Sequence, residues 1–159
     1  MRRIGLALLL ALSATGCATG YQPQGLTGGY TDREVAPNIW WVRYAGNAYT
    51  TAETVQTFWL YHAAELTIAK GFDGFQILPG ARPPTAGTAT ELPVDLGVVG
   101  KPVLTEKVLL LKNPVVPRPP IVFDAHALRD TLAPHVKEPL CGGNVCPHVH
   151  TYLMPNTQP

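Results

Sequence analysis

Residues 50–70 form the longest segment of the chain with a continuous helical pattern. Thr50 and Glu53 match a capping box at its start, and Gly71 suits the position that follows a helix. Apolar residues recur at spacings of three and four, giving the stripe Val55, Trp59, His62, Leu66 and Ala69. A helix this apolar, about 20 residues long, needs a second layer to cover it. The segment therefore predicts a long helix packed against a sheet.

The segments on either side of this helix have the composition of β-strands. Residues 38–44 and 72–78 flank it directly, 105–112 is a further strand, and 91–99 could hold an interrupted one. Asp124 is placed to cap a second helix that Pro134 should end after residue 133. We therefore predict a two-layer α+β fold, in which a small, mainly antiparallel sheet is packed by one long helix and a second, shorter helix.

The amino terminus has the pattern of a bacterial export signal. Arg2 and Arg3 precede an uncharged apolar run over 4–12, and small residues then lead to Cys17. The run is shorter than the roughly 20 residues that span a bilayer, which is typical of a signal peptide. Residues 14–17, Ala-Thr-Gly-Cys, resemble the lipobox of bacterial lipoproteins, although Ala14 stands where leucine is commoner. The resemblance implies cleavage before Cys17, a diacylglycerol on its thiol, and a fatty acid such as palmitate on its new amine.

These signals divide the chain into four parts. We expect a signal peptide over 1–16, a lipidated cysteine with a flexible tether over 17–36, an α+β domain over 37–137 and a Cys-, His- and Pro-rich tail over 138–159. Ala18 follows the cysteine where an aspartate would retain a lipoprotein at the inner membrane, so the resemblance favours the outer membrane, with the domain facing the periplasm. The 12 Lys and Arg nearly balance the 11 Asp and Glu, which argues against a nucleic-acid partner.

The central segments also resemble a known group of proteins. Gly46-Asn47, the threonines at 50 and 51, the run LYHAAELT over 60–67 and GFDGF over 71–75 are similar to the "GN…T…AAELT…GFDxF" pattern of small proteobacterial lipoproteins of unknown function. The similarity covers roughly residues 17–135, and His62 stands where that group often has arginine. The resemblance implies a class and a location, but no activity.

The tail contains the densest set of reactive side chains, Cys141, Cys146, His148 and His150. Two thiolates and two imidazoles could bind zinc or copper, although the spacing matches no common zinc-finger rule. The competing interpretation is a Cys141–Cys146 disulfide, because lipidation of Cys17 leaves an even pair in an oxidising compartment. We favour the disulfide and expect no cofactor, and we keep the metal site as the alternative.

The sequence contains no recognisable hydrolase, metalloprotease or nucleotide-binding motif. His62 and Glu65 are one helical turn apart and could form an acid–base pair, but a packed histidine is the commoner case. Trp40 and Trp41 must point to opposite sides of their strand, so one of them is left for a partner surface, and we assign that role to Trp41. We therefore expect a non-enzymatic envelope lipoprotein that binds an envelope protein or polymer.

Overall fold

The computed structural model describes residues 17–78, 100–113 and 122–137. The elements follow in the order β1 (Gly29–Ala36), β2 (Ile39–Ala45), α1 (Ala52–Ala69), β3 (Gly74–Leu78), β4 (Val103–Leu111), β5 (Val122–Asp124) and α2 (Ala125–Lys137). None of the helices within these ranges is both long and apolar enough to cross a membrane.

The five strands form one antiparallel sheet in the order β1-β2-β4-β3-β5. Helix α1 contacts β2, β4 and β3, and α2 packs against α1 and the β3–β5 side. The predicted two-layer α+β fold, with one long and one shorter helix over a small antiparallel sheet, is therefore confirmed.

The core lies between α1 and the face of the sheet that contacts the helices. In β2, Val42 and Tyr44 are fully buried while Trp41 is exposed, because successive side chains alternate between the two faces. Phe75 in β3 and the aliphatic residues of β4 at positions 104, 108 and 110 complete this buried face. The sequence predicts the uncharged set Trp40, Val42 and Tyr44 as the inward face of this strand and Phe75 as inward in the strand after the helix, and the burial of Val42, Tyr44 and Phe75 confirms both predictions.

The start of α1 differs from the predicted capping box by one residue. Thr51 is the N-cap, and its Oγ1 accepts a hydrogen bond from the Thr54 amide at 3.1 Å. Glu53 is then at the second helical position, where it cannot complete the box with Thr50. Thr50 Oγ1 instead accepts from the Asn47 amide at 3.0 Å, which closes the preceding turn. At the other end, Gly71 has φ +78° after the C-cap Lys70, so the predicted helix stop is confirmed.

The second helix begins as predicted and ends later. Asp124 Oδ1 accepts from the Ala127 amide at 2.9 Å, which confirms its role as a cap. Pro134 lies inside α2, which continues to Lys137, so the expectation that it ends the helix is wrong. The proline removes only the hydrogen bond to the carbonyl of Asp130, and that residue is exposed, so water can replace the missing donor. The short strand β5 before this helix was not predicted.

The predicted flexible tether over 17–36, and the domain boundary at residue 37, are wrong. Gly29–Ala36 is the edge strand β1, and the segment before it packs against the domain. Thr19 is buried, with its amide donating to Thr50 Oγ1 at 3.0 Å and its hydroxyl to the Thr27 carbonyl at 2.5 Å. Tyr44 Oη donates to the carbonyl of Gly20 at 2.8 Å. These bonds join residues far apart in sequence, and no local periodicity reveals them.

Candidate functional site

A cluster of polar side chains lies where β1, α1 and the amino-terminal segment meet. We call it the polar cluster, and it consists of Tyr21, Asp32, His62 and Glu65. Asp32 comes from β1, where it pairs with Val42 and so faces the helix layer, while His62 and Glu65 come from consecutive turns of α1. Tyr21 comes from the amino-terminal segment, which had been predicted to be a tether. The tertiary fold therefore assembles the cluster from three separate parts of the chain.

The hydrogen bonds of the polar cluster form a continuous row. His62 Nε2 lies 2.8 Å from Asp32 Oδ2, and His62 Nδ1 lies 3.0 Å from Tyr21 Oη. Tyr21 Oη also donates to Glu65 Oε2. The Tyr30 ring stacks on the imidazole with ring centroids 3.9 Å apart. The His62 side chain is 8% exposed and that of Asp32 is 26% exposed, so the row runs from the interior towards solvent at its Asp32 end.

Whether every hydrogen bond in this row has a donor depends on how many protons its side chains carry. Nε2 of His62 faces a carboxylate and therefore carries a proton. The single proton of Tyr21 goes to Glu65, so Nδ1 makes a good hydrogen bond to the tyrosine oxygen only when it is protonated too. A doubly protonated His62 would thus satisfy every contact in the row, between two carboxylates.

Burial opposes that charge. Desolvation lowers the pKa of His62 below its ordinary value of 6.5, while the hydrogen bond and charge of Asp32, and the charge of Glu65, act in the opposite direction. Burial also raises the pKa of Tyr21, and the hydrogen bond to Glu65 raises it further, so this phenol stays protonated. The net effect is a neutral imidazole near pH 7 that can accept a second proton from acidic solution.

The polar cluster holds both ring nitrogens of His62 by hydrogen bonds, one with Asp32 and one with Tyr21. His62 is a packed, hydrogen-bonded histidine, as the commoner interpretation expects, and Tyr21 bridges it to Glu65. The cluster fastens the amino-terminal segment and β1 to α1. Sequence reasoning missed Tyr21, Tyr30 and Asp32, whose spacing has no period.

The candidate lipidation site, Cys17, lies at the edge of the folded domain. Its carbonyl accepts a hydrogen bond from Asn47 Nδ2 at 2.8 Å, two residues before the buried Thr19. The sulfur of Cys17 is disulfide-bonded in the structure. A sulfur atom in a disulfide cannot also carry a thioether-linked lipid. The disulfide and the predicted lipidation are therefore alternative states of the same residue.

Trp41 lies on the face of the sheet opposite the helices, which we call the outer face. Its side chain is 37% exposed, and the guanidinium carbon of Arg33 lies 4.8 Å from the centre of the ring. Trp41 pairs with Arg33 on β1 and with Lys107 on β4, so the three side chains form one row across the sheet. The predicted exposure of Trp41 is confirmed, and the structure places a cation on each side of it.

The charged side chains on the outer face of β1, β2 and β4 are all positive. Arg43 lies beside the row on the same face, and its Nη1 donates to Gln24 Oε1 at 2.9 Å. The acidic residues of β1 and β4, which are Asp32, Glu34 and Glu106, occupy positions that alternate with Arg33 and Lys107 and pair with inward-facing residues of β2. The outer face therefore combines an exposed indole with three cations.

The remaining predicted site residues, Cys141, Cys146, His148 and His150, lie outside the described residues. The same holds for the strand predicted over 91–99. In the ranges that the structure describes, no group of three His, Cys, Asp or Glu side chains is arranged to hold a metal ion.

Comparison of the chain with protein-family models, with curated proteins and with solved structures finds no match.

Proposed function

We propose that this chain is an outer-membrane lipoprotein without catalytic activity, anchored through Cys17, that binds an acidic envelope polymer with the outer face of its sheet. The observation that carries the polymer proposal is the row of Arg33, Trp41 and Lys107. The anchoring proposal rests on the lipobox-like residues 14–17 and on the resemblance to small proteobacterial lipoproteins.

The chemistry of the row favours a polymer that carries carboxylate or phosphate groups on sugars. An exposed indole offers a flat apolar surface for stacking, and the guanidinium and ammonium groups on either side attract anions. Clustered cations with no carboxylate on the same face of β1, β2 and β4 also attract an anionic polymer over longer distances.

The test is sedimentation of the purified full chain with isolated peptidoglycan sacculi, which carry carboxylates on a saccharide polymer. We expect Trp41→Ala to weaken binding by about tenfold or more, as for a central aromatic contact. Binding of the native chain should also fall when the salt concentration rises from about 0.05 M to about 0.5 M, because salt screens exposed charges.

Tyr49→Ala is the matched control, because Tyr49 is a 65% exposed aromatic residue in the turn before α1, away from this row. It should leave binding to the sacculi unchanged. Equal sedimentation of the native chain and of Trp41→Ala would contradict the proposal. Failure of the native chain to bind, with crosslinking of this face to a protein, would replace the polymer with a protein partner.

The alternative function is metal binding by Cys141, Cys146, His148 and His150, favoured by four soft or borderline ligands within ten residues. Native mass spectrometry of the exported chain, purified without chelator, distinguishes the possibilities. One added zinc or copper ion with reduced thiols would support the metal site. The mass of a lipidated Cys17 with one oxidised cysteine pair would support the anchored binding protein, and an unlipidated, disulfide-bonded Cys17 would contradict the anchor.

A further inference from the structure

Cys17 lies at one end of the sheet, together with two turns of the chain. Asn47, in the turn between β2 and α1, binds the Cys17 carbonyl, and Thr19 binds the carbonyl of Thr27, in the turn before β1. Gly29 and Val103 both pair with Ala45 at this end, so the start of β1, the end of β2 and the start of β4 meet there. We call this end, with residues 17, 24–28, 46–50 and 100–102, the anchor end.

The two most exposed large apolar side chains of the described residues belong to the anchor end. Leu26 has 106% relative exposure and Tyr49 has 65%, compared with 43% for Val35 and 37% for Trp41. Tyr49 is two residues from Asn47, and its amide donates to Asn47 Oδ1 at 2.9 Å. Leu26 precedes Thr27. Both side chains thus project from turns that are hydrogen-bonded directly to the segment 17–19.

No spacer separates Cys17 from the folded domain. Asn47 binds the carbonyl of Cys17 itself, and Thr19 is already buried. A lipid chain on Cys17 would therefore hold the anchor end within a few ångströms of the membrane surface. Leucine gains free energy on entering the apolar part of a bilayer, and tyrosine favours the interface with water. The exposed Lys101, next to Pro102 at this end, can approach anionic headgroups.

We infer that the anchor end is a membrane-contacting surface, in which Leu26 enters the outer-membrane leaflet that holds the lipid of Cys17 and Tyr49 lies at its interface. This inference rests on the proposed lipidation of Cys17. The occupant of the surface is the lipid bilayer itself. The domain is consequently held in one orientation, with the long axis of β1 and β2 directed away from the membrane.

The test measures quenching of tryptophan fluorescence by brominated acyl chains. The full lipidated chain is reconstituted in phosphatidylethanolamine and phosphatidylglycerol vesicles with brominated or ordinary acyl chains. Variants Leu26→Trp and Tyr49→Trp each add one emitter at the anchor end, and the emission of the native chain is subtracted. Because bromine quenches at short range, we expect each variant to lose most of its added emission in the brominated vesicles.

Val35→Trp is the matched control. Val35 is also an exposed apolar residue of the same sheet, but it lies six residues beyond Gly29 in β1, about 20 Å from the anchor end. Its added emission should remain unquenched. All three sites are exposed, so the substitutions leave the core intact, and the emission of the buried Trp59 reports on the fold.

The outcomes separate this inference from the proposed anchoring. A chain whose mass lacks a lipid on Cys17 would overturn both. A lipidated chain in which Leu26→Trp and Tyr49→Trp are quenched no more than Val35→Trp would overturn the membrane-contacting surface alone. Strong quenching at the anchor end and none at residue 35 would establish the orientation.

Discussion

His62 is surrounded by groups that act on its charge in opposite directions. Burial beneath Tyr30 disfavours the imidazolium, and the carboxylates of Asp32 and Glu65 favour it. Burial dominates, so the pKa of His62 in the folded chain lies below its ordinary value of 6.5. The unfolded chain therefore binds a proton at His62 more readily than the folded chain does.

This difference predicts a loss of stability in mild acid. Well above pH 6.5, His62 is neutral in both states and its contribution to stability is fully present. As the pH falls below 6.5 towards the folded-state pKa, the unfolded chain takes up more protons, and the free energy of unfolding should decrease. Urea unfolding at a series of pH values between neutral and mildly acidic measures this slope.

His62→Gln supplies the control, because the amide keeps polar atoms near Asp32 and Tyr21 but does not titrate. The slope below pH 6.5 should be smaller in this variant than in the native chain. A free energy of unfolding that rises as the pH falls would mean that the two carboxylates outweigh burial.

At the scale of elements, helix α1 organises the domain. It packs against β2, β3, β4 and α2, it contacts β1 through His62, and its side chains fill most of the core. The period of its apolar residues, its length and its glycine stop were all predictable, since they depend on spacing within one segment. The register of the N-cap was not predictable, since Thr50 and Thr51 are both suitable residues and the turn from Asn47 decides between them.

The observed cap predicts different effects for two substitutions. Thr51→Ala removes the acceptor for the Thr54 amide and should lower the free energy of unfolding by about 1 kcal/mol. Glu53→Gln should cost only a few tenths of a kcal/mol, through the helix dipole, because the capping box is not formed. Thermal and urea unfolding of the two variants measure both effects. An equally large loss of stability in Glu53→Gln would mean that Glu53 does form a capping box.

At the scale of the whole molecule, the amino-terminal segment is part of the domain. Tyr21 contacts the Tyr30, Phe58 and Tyr61 rings, and its hydroxyl belongs to the polar cluster. A flexible tether would leave this side chain in water. The domain therefore extends to Cys17, and any lipid there is attached to the folded body.

Tyr21→Phe tests whether the amino-terminal segment is packed against the domain, because it removes a single hydroxyl. The variant keeps the ring contacts but removes one of the two tyrosine hydroxyls that bond Glu65, the other being that of Tyr61, together with the partner of His62 Nδ1. This loss should lower the free energy of unfolding by about 1–3 kcal/mol. Tyr49→Phe loses a hydroxyl from a 65% exposed ring and should stay within about 0.5 kcal/mol of the native chain. Equal free energies of unfolding of the two variants in urea would mean that the amino-terminal segment is a flexible tether.

The sequence by itself determined the α+β class, the position of α1 and the inward faces of β2 and β3. Each of these depends on a period of two or about 3.6 residues within one segment, and burial of the resulting apolar face requires a second layer. The adjacency of His62 and Glu65 on α1 was predictable for the same reason. Only the tertiary structure decided that Tyr21 and Asp32 join them, that residues 17–28 pack against the domain, and that the turns with Leu26 and Tyr49 are bonded to the segment 17–19. Those contacts are hydrogen bonds and ring packing between residues remote in sequence, and no local pattern encodes them.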